Sequence, residues 1–323
     1  MKLFLSGSFI VVVWVTLQST NVTAETAVGE TNEHGQLVVA MVQHAFQLDD
    51  VPSNLAKAEA ICSDAAEQGA RVVVFPEGAL TGSLHYLPEG TDLVPRAVRL
   101  PGPETDRLAQ IAGKFDLGIV MCTVEAGADQ KLYNTAFAVT PVGYQGKFRK
   151  LFLAPDEREV IVHGRETPIF EMFGWRFGVG VCYDIYFPEV ARMYALKGAE
   201  VYLVPTGGTG IPAEQVHPKW WKPRFNLAGF MKVCPARALD NGFYVLLPVS
   251  ADAGGGSVAV DPRGEQVAYA DGEEELILVT LRRELVNKAR AVYLPDLRAE
   301  LFRELAEACE QNKVTNAETP NNE

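Results

Sequence analysis

Three side chains have types and settings that could do chemistry. Cys182 stands in Phe177-Gly178-Val179-Gly180-Val181-Cys182-Tyr183-Asp184, followed by Ile185-Tyr186-Phe187-Pro188-Glu189. The first half alternates apolar residues with glycine and reads as a short buried strand. Pro188-Glu189 reads as the first turn of a helix, where proline loses no hydrogen bond and an acid suits the dipole. A thiol at such a strand-to-helix turn is held up for attack. Backbone N–H groups there can bind a developing oxyanion, and the nearby helix start favours thiolate over thiol. Glu77 closes an apolar run in Phe75-Pro76-Glu77-Gly78, and Lys150 closes the basic run Lys147-Phe148-Arg149-Lys150. Together a thiol, a carboxylate and an ammonium can carry out nucleophilic acyl transfer. The carboxylate takes the thiol proton and later activates water, and the cation steadies charge on oxygen. Each residue alone has a plainer reading: a small core cysteine, a solvated acid at a strand end, one member of a solvated basic face. On that reading Lys147 would be the next candidate cation.

Other constellations fail. His34, His44, His85, His163 and His217 show no metal-ligand spacing, so no metal is expected. No cysteine has the surroundings of a papain-like nucleophile, and no serine sits in a G-x-S-x-G elbow. The glycines at 207, 208 and 210 are not followed by Lys-Ser/Thr, so they make no phosphate loop. No cofactor is expected. The chain has 323 residues, 48% of them hydrophobic and 22% charged, as in an ordinary globular protein. Its net charge of −12 argues against nucleic acid and anionic membranes as partners.

The elements that must position these residues alternate between strand and helix. Gln36–Gln43, Arg71–Phe75, Leu117–Val124, Thr135–Thr140, Glu200–Val204 and Phe243–Val249 read as strands, as do Ser257–Val260, Glu265–Tyr269 and Glu275–Val279 in a hairpin-rich end. Helices are expected over Asn54–Gln68, over Thr105–Lys114 with Thr105 as N-cap, and from Pro188 to about Lys197. Residues 83–103 read as loop and 211–235 as irregular. Pro235 is expected to break any helix running in from before it and to leave a short one over Pro235–Asn241. Leu297–Cys309 is amphipathic. The pattern is that of an α/β fold in a single domain over residues 35–310, followed by a polar, disordered tail over 311–323.

The N-terminus reads separately. Met1-Lys2, the apolar run Leu3 to Leu17 and Val22-Thr23-Ala24 form a signal peptide cleaved after Ala24, which predicts a secreted or periplasmic protein with no membrane attachment once the signal is gone. An uncleaved anchor is the alternative, though the run is short for a span. Cys62, Cys122, Cys182, Cys234 and Cys309 make an odd count, leaving at least one thiol unpaired in an exported protein.

Glu77, Lys150 and Cys182 resemble the Glu-Lys-Cys triad of the nitrilase, or carbon–nitrogen hydrolase, superfamily. Phe75–Gly82, Ala236–Asn241 and Gly256–Gly264 resemble the same family, in the same order, and the likeness covers roughly residues 36–285. The resemblance implies a four-layer α-β-β-α sandwich, and homodimers or higher homo-oligomers that pair through helices near the cysteine turn. It also implies a second glutamate shortly after the lysine. Glu157 is the match, with Asp156 and Glu159 beside it in register. Oxyanion and substrate contacts are expected from Tyr183, Tyr186, Thr206 and Gly207, and Trp220 and Trp221 could wall the pocket. Cys182-Tyr183-Asp184-Ile185 resembles the amidase branch, and Tyr186 stands where branches using acidic substrates carry arginine. The implied activity is hydrolysis of a small amide or N-carbamoyl compound through a cysteine thioester. The alternatives are nitrile hydrolysis, acyl transfer to an amine, and a catalytically silent binding protein of the same fold.

Overall fold

Gln36–Gln43 (β1) is apolar on both faces and therefore needs cover on both. Val39 and Met41 enter one core while Ala40 and Val42 enter another. The chain supplies that cover in layers. The computed structural model describes residues 35–82, 92–155, 157–207 and 227–317. The expected leader, Asp156, Trp220 and Trp221 lie outside the described residues, as do 318–323.

Among the described residues the strands form two six-stranded sheets. The first holds β1, β2 (Val72–Val74), β3 (Gly118–Ala126), β4 (Leu132–Thr140), β5 (Gly143–Arg149) and β12 (Glu275–Arg282), in the order β12-β1-β2-β3-β4-β5. The second holds β6 (Phe170–Met172), β7 (Trp175–Val179), β8 (Val201–Leu203), β9 (Tyr244–Leu247), β10 (Val258–Val260) and β11 (Gln266–Tyr269), in the order β6-β7-β8-β9-β10-β11. Both sheets show the same succession of pairings: antiparallel, parallel, parallel, antiparallel, antiparallel.

Helices α1 (Val51–Glu67) and α2 (Pro103–Phe115) cover the outer face of the first sheet with Ala58, Ile61, Ala65, Leu108, Ile111 and Ala112. Helices α3 (Pro188–Leu196) and α4 (Leu227–Asn241) pack on the second sheet through Val190, Ala191, Tyr194, Cys234 and Ala238. A Cβ on Gly178 would sit 2.4 Å from the Tyr194 ring, so α3 lies directly against β7 there and only glycine fits. The pleat then turns Phe177 and Val179 toward the first sheet. The result is the four-layer α-β-β-α sandwich that the resemblance implies.

Several boundaries differ from the sequence reading. Helix α1 starts three residues earlier, because the Asp50 carboxylate caps it by accepting the Ser53 N–H at 3.0 Å. Helix α2 starts at Pro103, so Thr105 is not its N-cap. Its hydroxyl reaches back to the Gly102 N–H at 3.0 Å and the Gly102 carbonyl at 2.7 Å. Helix α4 runs through Pro235, although proline removes one rung of its ladder. Phe230, Cys234 and Ala238 recur every four residues and are buried, and that packing offsets the lost bond. Strand β12 does not close a hairpin with β11. It leaves the second sheet and pairs along all of β1. Arg283–Tyr293 forms a helix, α5, that the sequence reading did not foresee; among its residues Val286 is fully buried. The final helix, α6, spans Ala299–Ala317, so residues 311–317, expected as part of a loose tail, are helical.

Candidate active site

In open α/β sheets, ligand sites form beyond the carboxyl ends of parallel strands. Three segments leave such ends here. Glu77 follows β2, Cys182 follows β7, and Thr206-Gly207 follows β8.

Cys182 begins a single turn of 3₁₀ helix, Cys182–Tyr186, and has φ of +46°, in the left-handed region. For a residue with a Cβ that conformation costs on the order of 1–3 kcal/mol, and it persists only where the surroundings enforce it. Here they do. The Cys182 N–H donates to the Pro205 carbonyl at 2.9 Å. The Val181 N–H donates to the Asp184 carboxylate at 2.9 Å. Arg237, from α4, donates to the carbonyls of Ile185 and Tyr186 at 3.0 and 3.1 Å. The thiol is thus on a rigid elbow, 7% exposed.

The thiols of the other cysteines differ in setting. Burial pushes Cys62 and Cys234 up to about 12 and Cys122 well above the ordinary range, so these three stay protonated and inert. Cys309 is exposed on the last helix.

Lys150 stands one residue past β5, and strand alternation divides the basic run. Lys147 and Arg149 face one way and bind the buried Glu125. Lys150 goes the other way, into the protein, where it is fully buried. Its ammonium donates to Glu77 Oε1 at 2.9 Å and contacts Glu157 Oε2 at 2.7 Å. Burial alone would push its pKa down. The charges of Glu157, Glu77 and Cys182 overcome that and hold it well above the ordinary lysine range. Lys150 is therefore a permanent cation, close enough to Cys182 to feel its charge.

Both glutamates are fixed by further donors. Glu77 Oε2 accepts the Gly207 N–H at 2.8 Å. Glu157 Oε2 accepts the Ala154 N–H at 2.8 Å. The structure thus brings Glu77, Lys150 and Glu157 into direct contact. Of the two acids beside Glu157 in register, Glu159 is exposed on the surface and Asp156 lies outside the described residues. Pro205-Thr206-Gly207 acts as a strap, since Pro205 holds the Cys182 amide and Gly207 holds Glu77. Thr206 is buried within the strap and donates its hydroxyl to the Val204 carbonyl at 3.0 Å. Tyr183 and Tyr186 lie on the cysteine turn itself, with ring centroids 5.8 Å apart.

Three residues of this centre carried no role in the sequence reading. Asn134, on β4, donates through Nδ2 to Glu77 Oε1 at 2.7 Å and to Glu157 Oε1 at 2.6 Å. Carboxylate oxygens only accept, so the two acids fix the orientation of the amide. The Asn134 carbonyl also accepts the Lys150 N–H at 2.8 Å. Asp184 and Arg237 brace the cysteine turn. Asp184 is two residues after the cysteine, and Arg237 lies in a stretch already singled out, so both were close to a visible signal. Asn134 had none, for an asparagine within an apolar strand reads as neither acid, base nor nucleophile.

A family model described as "Carbon-nitrogen hydrolase" matches residues 38–291. A nitrilase from Pyrococcus abyssi is 32% identical over 268 residues, covering 80% of this chain and 95% of the relative. An omega-amidase from Xenopus tropicalis is 31% identical over 255 residues, covering 73% and 86%. Among solved structures, Saccharomyces cerevisiae Nit3, a member of branch 10 of the nitrilase superfamily, superposes with a TM-score of 0.67 at 27% identity, covering 84% of this chain and 99% of that one. A double mutant of an amidase from Nesterenkonia sp. AN1, solved in complex with acrylamide, superposes with a TM-score of 0.66 at 25% identity, covering 86% and 100%.

Proposed function

Since the chain belongs to the carbon–nitrogen hydrolase family, we propose that it is a thiol hydrolase of small amides or N-carbamoyl compounds, with Cys182 as nucleophile. The observation that carries this reading is Lys150, fully buried between the carboxylates of Glu77 and Glu157 and beside the cysteine elbow. A buried cation held by two acids next to a strained thiol is a costly arrangement for packing alone, and it suits acyl transfer.

In this reading Glu77 takes the Cys182 proton as sulfur attacks the carbonyl carbon. The tetrahedral oxyanion is met by the Lys150 ammonium and the Tyr183 N–H, which lies on the same turn as the sulfur. Collapse breaks the C–N bond, and the proton on Glu77 passes to the leaving ammonia or amine. Glu157 keeps Lys150 in place and orients the substrate nitrogen. A water, deprotonated by Glu77, then attacks the thioester, and the acid leaves with Cys182 restored. The relatives include both amidases and nitrilases, so amide and nitrile hydrolysis are separated by experiment.

The test is ammonia release from paired amide and nitrile panels, with labelling by a cysteine-selective acylating probe. The expected result is turnover of amides and labelling at Cys182, both lost in a folded Cys182→Ala protein. Retention of more than about a tenth of wild-type activity by that variant would remove Cys182 as nucleophile. Turnover of nitriles alone would make the protein a nitrilase.

Two further parts of the reading concern the protein's setting. Export follows from the charged start, apolar run and Val-x-Ala end of residues 1–24. Mature material should begin at Glu25, and a mature chain beginning at Met1 would overturn cleavage. A homodimer is supported by the exposed apolar side chains of α3, Met193 and Leu196, and by the neighbouring Phe302 and Leu305 of α6. They border a groove of about 340 Å³ that also includes Arg192 and Asp240.

A further inference from the structure

We propose that the outer face of the first sheet carries a second ligand site, separate from the Cys182 turn, that takes a small anion with two or more negative charges. The shared chemistry is that of a diphosphate or a polycarboxylate. The site stands whether or not the chain hydrolyses amides.

The first observation is a cavity of about 540 Å³ at the end of β4 and β5, a size that suits a small molecule. Lys147 pairs across the strands with Phe137, and Arg149 with Thr135. Cross-strand partners share a face, and Phe137 packs in the core beneath α1 and α2. Lys147 and Arg149 therefore enter the cavity from the outer face, while Lys150 points through the sheet to the other side. Residues 162–166 form one wall. The Val162 N–H donates to the Leu132 carbonyl at 2.9 Å and the Gly164 N–H to the Lys150 carbonyl at 2.8 Å. The His163 ring meets the Leu151 carbonyl at 2.6 Å through Nδ1. A Cβ on Gly164 would sit 2.0 Å from the Arg149 carbonyl, so only glycine lets the wall lie this close. The wall is thus held at three points, and it sets Arg165 in the same cavity as Lys131 of the β3–β4 turn.

The second observation is charge. Lys131, Lys147, Arg149 and Arg165 line the cavity, against Asp129 and Glu166 in its lining and Glu125 buried beneath Lys147 and Arg149. Four cations against three acids leave a positive surplus, on a chain whose net charge is −12. Such a local reversal of sign draws anions to one place. Asp129 is turned into its own hairpin, where it accepts the Tyr133 hydroxyl at 2.8 Å and the Lys131 N–H at 3.3 Å. Glu125 fixes the floor. It takes the Arg149 Nε hydrogen at 2.9 Å and one from Nη2 at 2.6 Å, and the guanidinium has further N–H groups to offer. A cation already fixed loses little freedom when a ligand arrives. The forked guanidinium and the ammonium groups suit phosphoryl or carboxylate oxygens. A neutral ring would gain less, because the Arg149 guanidinium already covers the Tyr133 ring at 3.5 Å. Lys131 and Arg165 are exposed and free to close over an anion that reaches past the floor, which favours more than one charged group.

Calorimetry on the full chain in low-salt buffer tests the site, with pyrophosphate, citrate and acetate as probes. Pyrophosphate or citrate should bind once per chain with Kd below about 1 mM, and acetate at least tenfold more weakly. Whichever of the first two binds more tightly names the source as phosphoryl or carboxylate. Lys131→Ala with Arg165→Ala should weaken that anion at least tenfold. Lys114→Ala with Lys288→Ala removes the same charge from exposed positions on α2 and α5, and should weaken it less than about threefold. If the first pair lowers the melting temperature sharply, each single variant should still weaken binding by at least about threefold. Equal losses in the two pairs would reduce the effect to general surface charge and overturn the site. So would binding unchanged in Lys131→Ala with Arg165→Ala, acetate binding as well as the larger anions, or no saturable binding of either one.

Discussion

The Asp184 carboxylate accepts the N–H of Phe152 at 2.8 Å and, through its other oxygen, the N–H of Val181 at 2.9 Å. One buried acid thereby ties the turn that carries Cys182 to the segment that carries Lys150. Asparagine has the same shape but only one accepting atom, and its NH₂ group would face one of the two N–H donors. Asp184→Asn should therefore loosen the register between Cys182 and Lys150. Assayed near pH 8, above the Asp184 range, the expected outcome is a folded protein whose kcat falls at least tenfold while KM changes less than about threefold, as expected when geometry needed only in the transition state is lost. Equal kcat, or a loss confined to KM, would reduce Asp184 to packing.

The same residue predicts a pH dependence. Burial pushes Asp184 up to about 7, against the opposing pull of the Val181 and Phe152 N–H groups. The folded protein then holds this proton more tightly than the unfolded chain. The resulting stability is fully present below the ordinary aspartate range and is lost as pH rises through about 7. Asparagine does not titrate. The melting temperature of wild type relative to Asp184→Asn should therefore fall between pH 5 and pH 8. A difference that is flat or rises over that interval would show that Asp184 is ionised throughout.

Lys150 tests whether the site needs a placed point charge. Its ammonium fits between Glu77 and Glu157 at 2.9 and 2.7 Å with no exposed surface. A guanidinium is longer, planar and forked, and would displace one of the acids. Lys150→Arg should fail nearly as badly as Lys150→Ala. A loss of less than about tenfold in kcat/KM, or roughly 1.4 kcal/mol, would mean that charge suffices without placement.

Much of this arrangement was legible in the sequence. Cys182 announced itself because a strand pattern, alternating with glycine, met a helix start within a few residues. Glu77 and Lys150 each closed an apolar or alternating run, and strand ends are where side chains can converge. What stayed hidden depends on non-local contact. Strand β12 reads like the last arm of a hairpin, yet it pairs with β1 more than two hundred residues earlier, and no local pattern encodes that choice. Pro235 reads as a helix break, but the burial of Phe230, Cys234 and Ala238 outweighs one lost hydrogen bond. Asn134 is the sharpest case. Its role exists only because β4 brings it between two acids from distant segments.

The apolar face on α3 gives a prediction about assembly. Met193 is 45% exposed and Leu196 53% exposed, and Phe302 and Leu305 extend the patch across α6. Isolated apolar side chains on a surface are ordinary, whereas apolar side chains gathered on neighbouring helices support the homodimer proposed above. Sedimentation at micromolar concentration should give a dimer for wild type, and a monomer for a protein carrying Met193→Glu and Leu196→Glu. A wild-type monomer at tens of micromolar would move the interface elsewhere or remove it.

Asn134 separates electrostatics from shape at the centre of the site. Its NH₂ group donates to Glu77 Oε1 and Glu157 Oε1, at 2.7 and 2.6 Å, and so holds both acids in place around Lys150. Aspartate has nearly the same volume but replaces the donor with a third carboxylate oxygen. Three acids around one ammonium cannot all ionise, and the pair facing each other must share a proton, which raises the apparent pKa of the cluster. Alanine removes the donor without adding charge. Charge-assisted hydrogen bonds are each worth about 1.5–3 kcal/mol, so Asn134→Ala, which loses two, should lose at least roughly ten- to a hundredfold in kcat/KM. Asn134→Asp should lose more at pH 7, and its acid limb should move to higher pH, with activity partly returning as the cluster ionises. If Asn134 served only to fill space on β4, the isosteric aspartate would be tolerated better than alanine and the acid limb would stay where it is in wild type. The ranking of the two variants, together with the direction of that limb, decides whether the amide sets the proton state of Glu77 or merely occupies its place in the sheet.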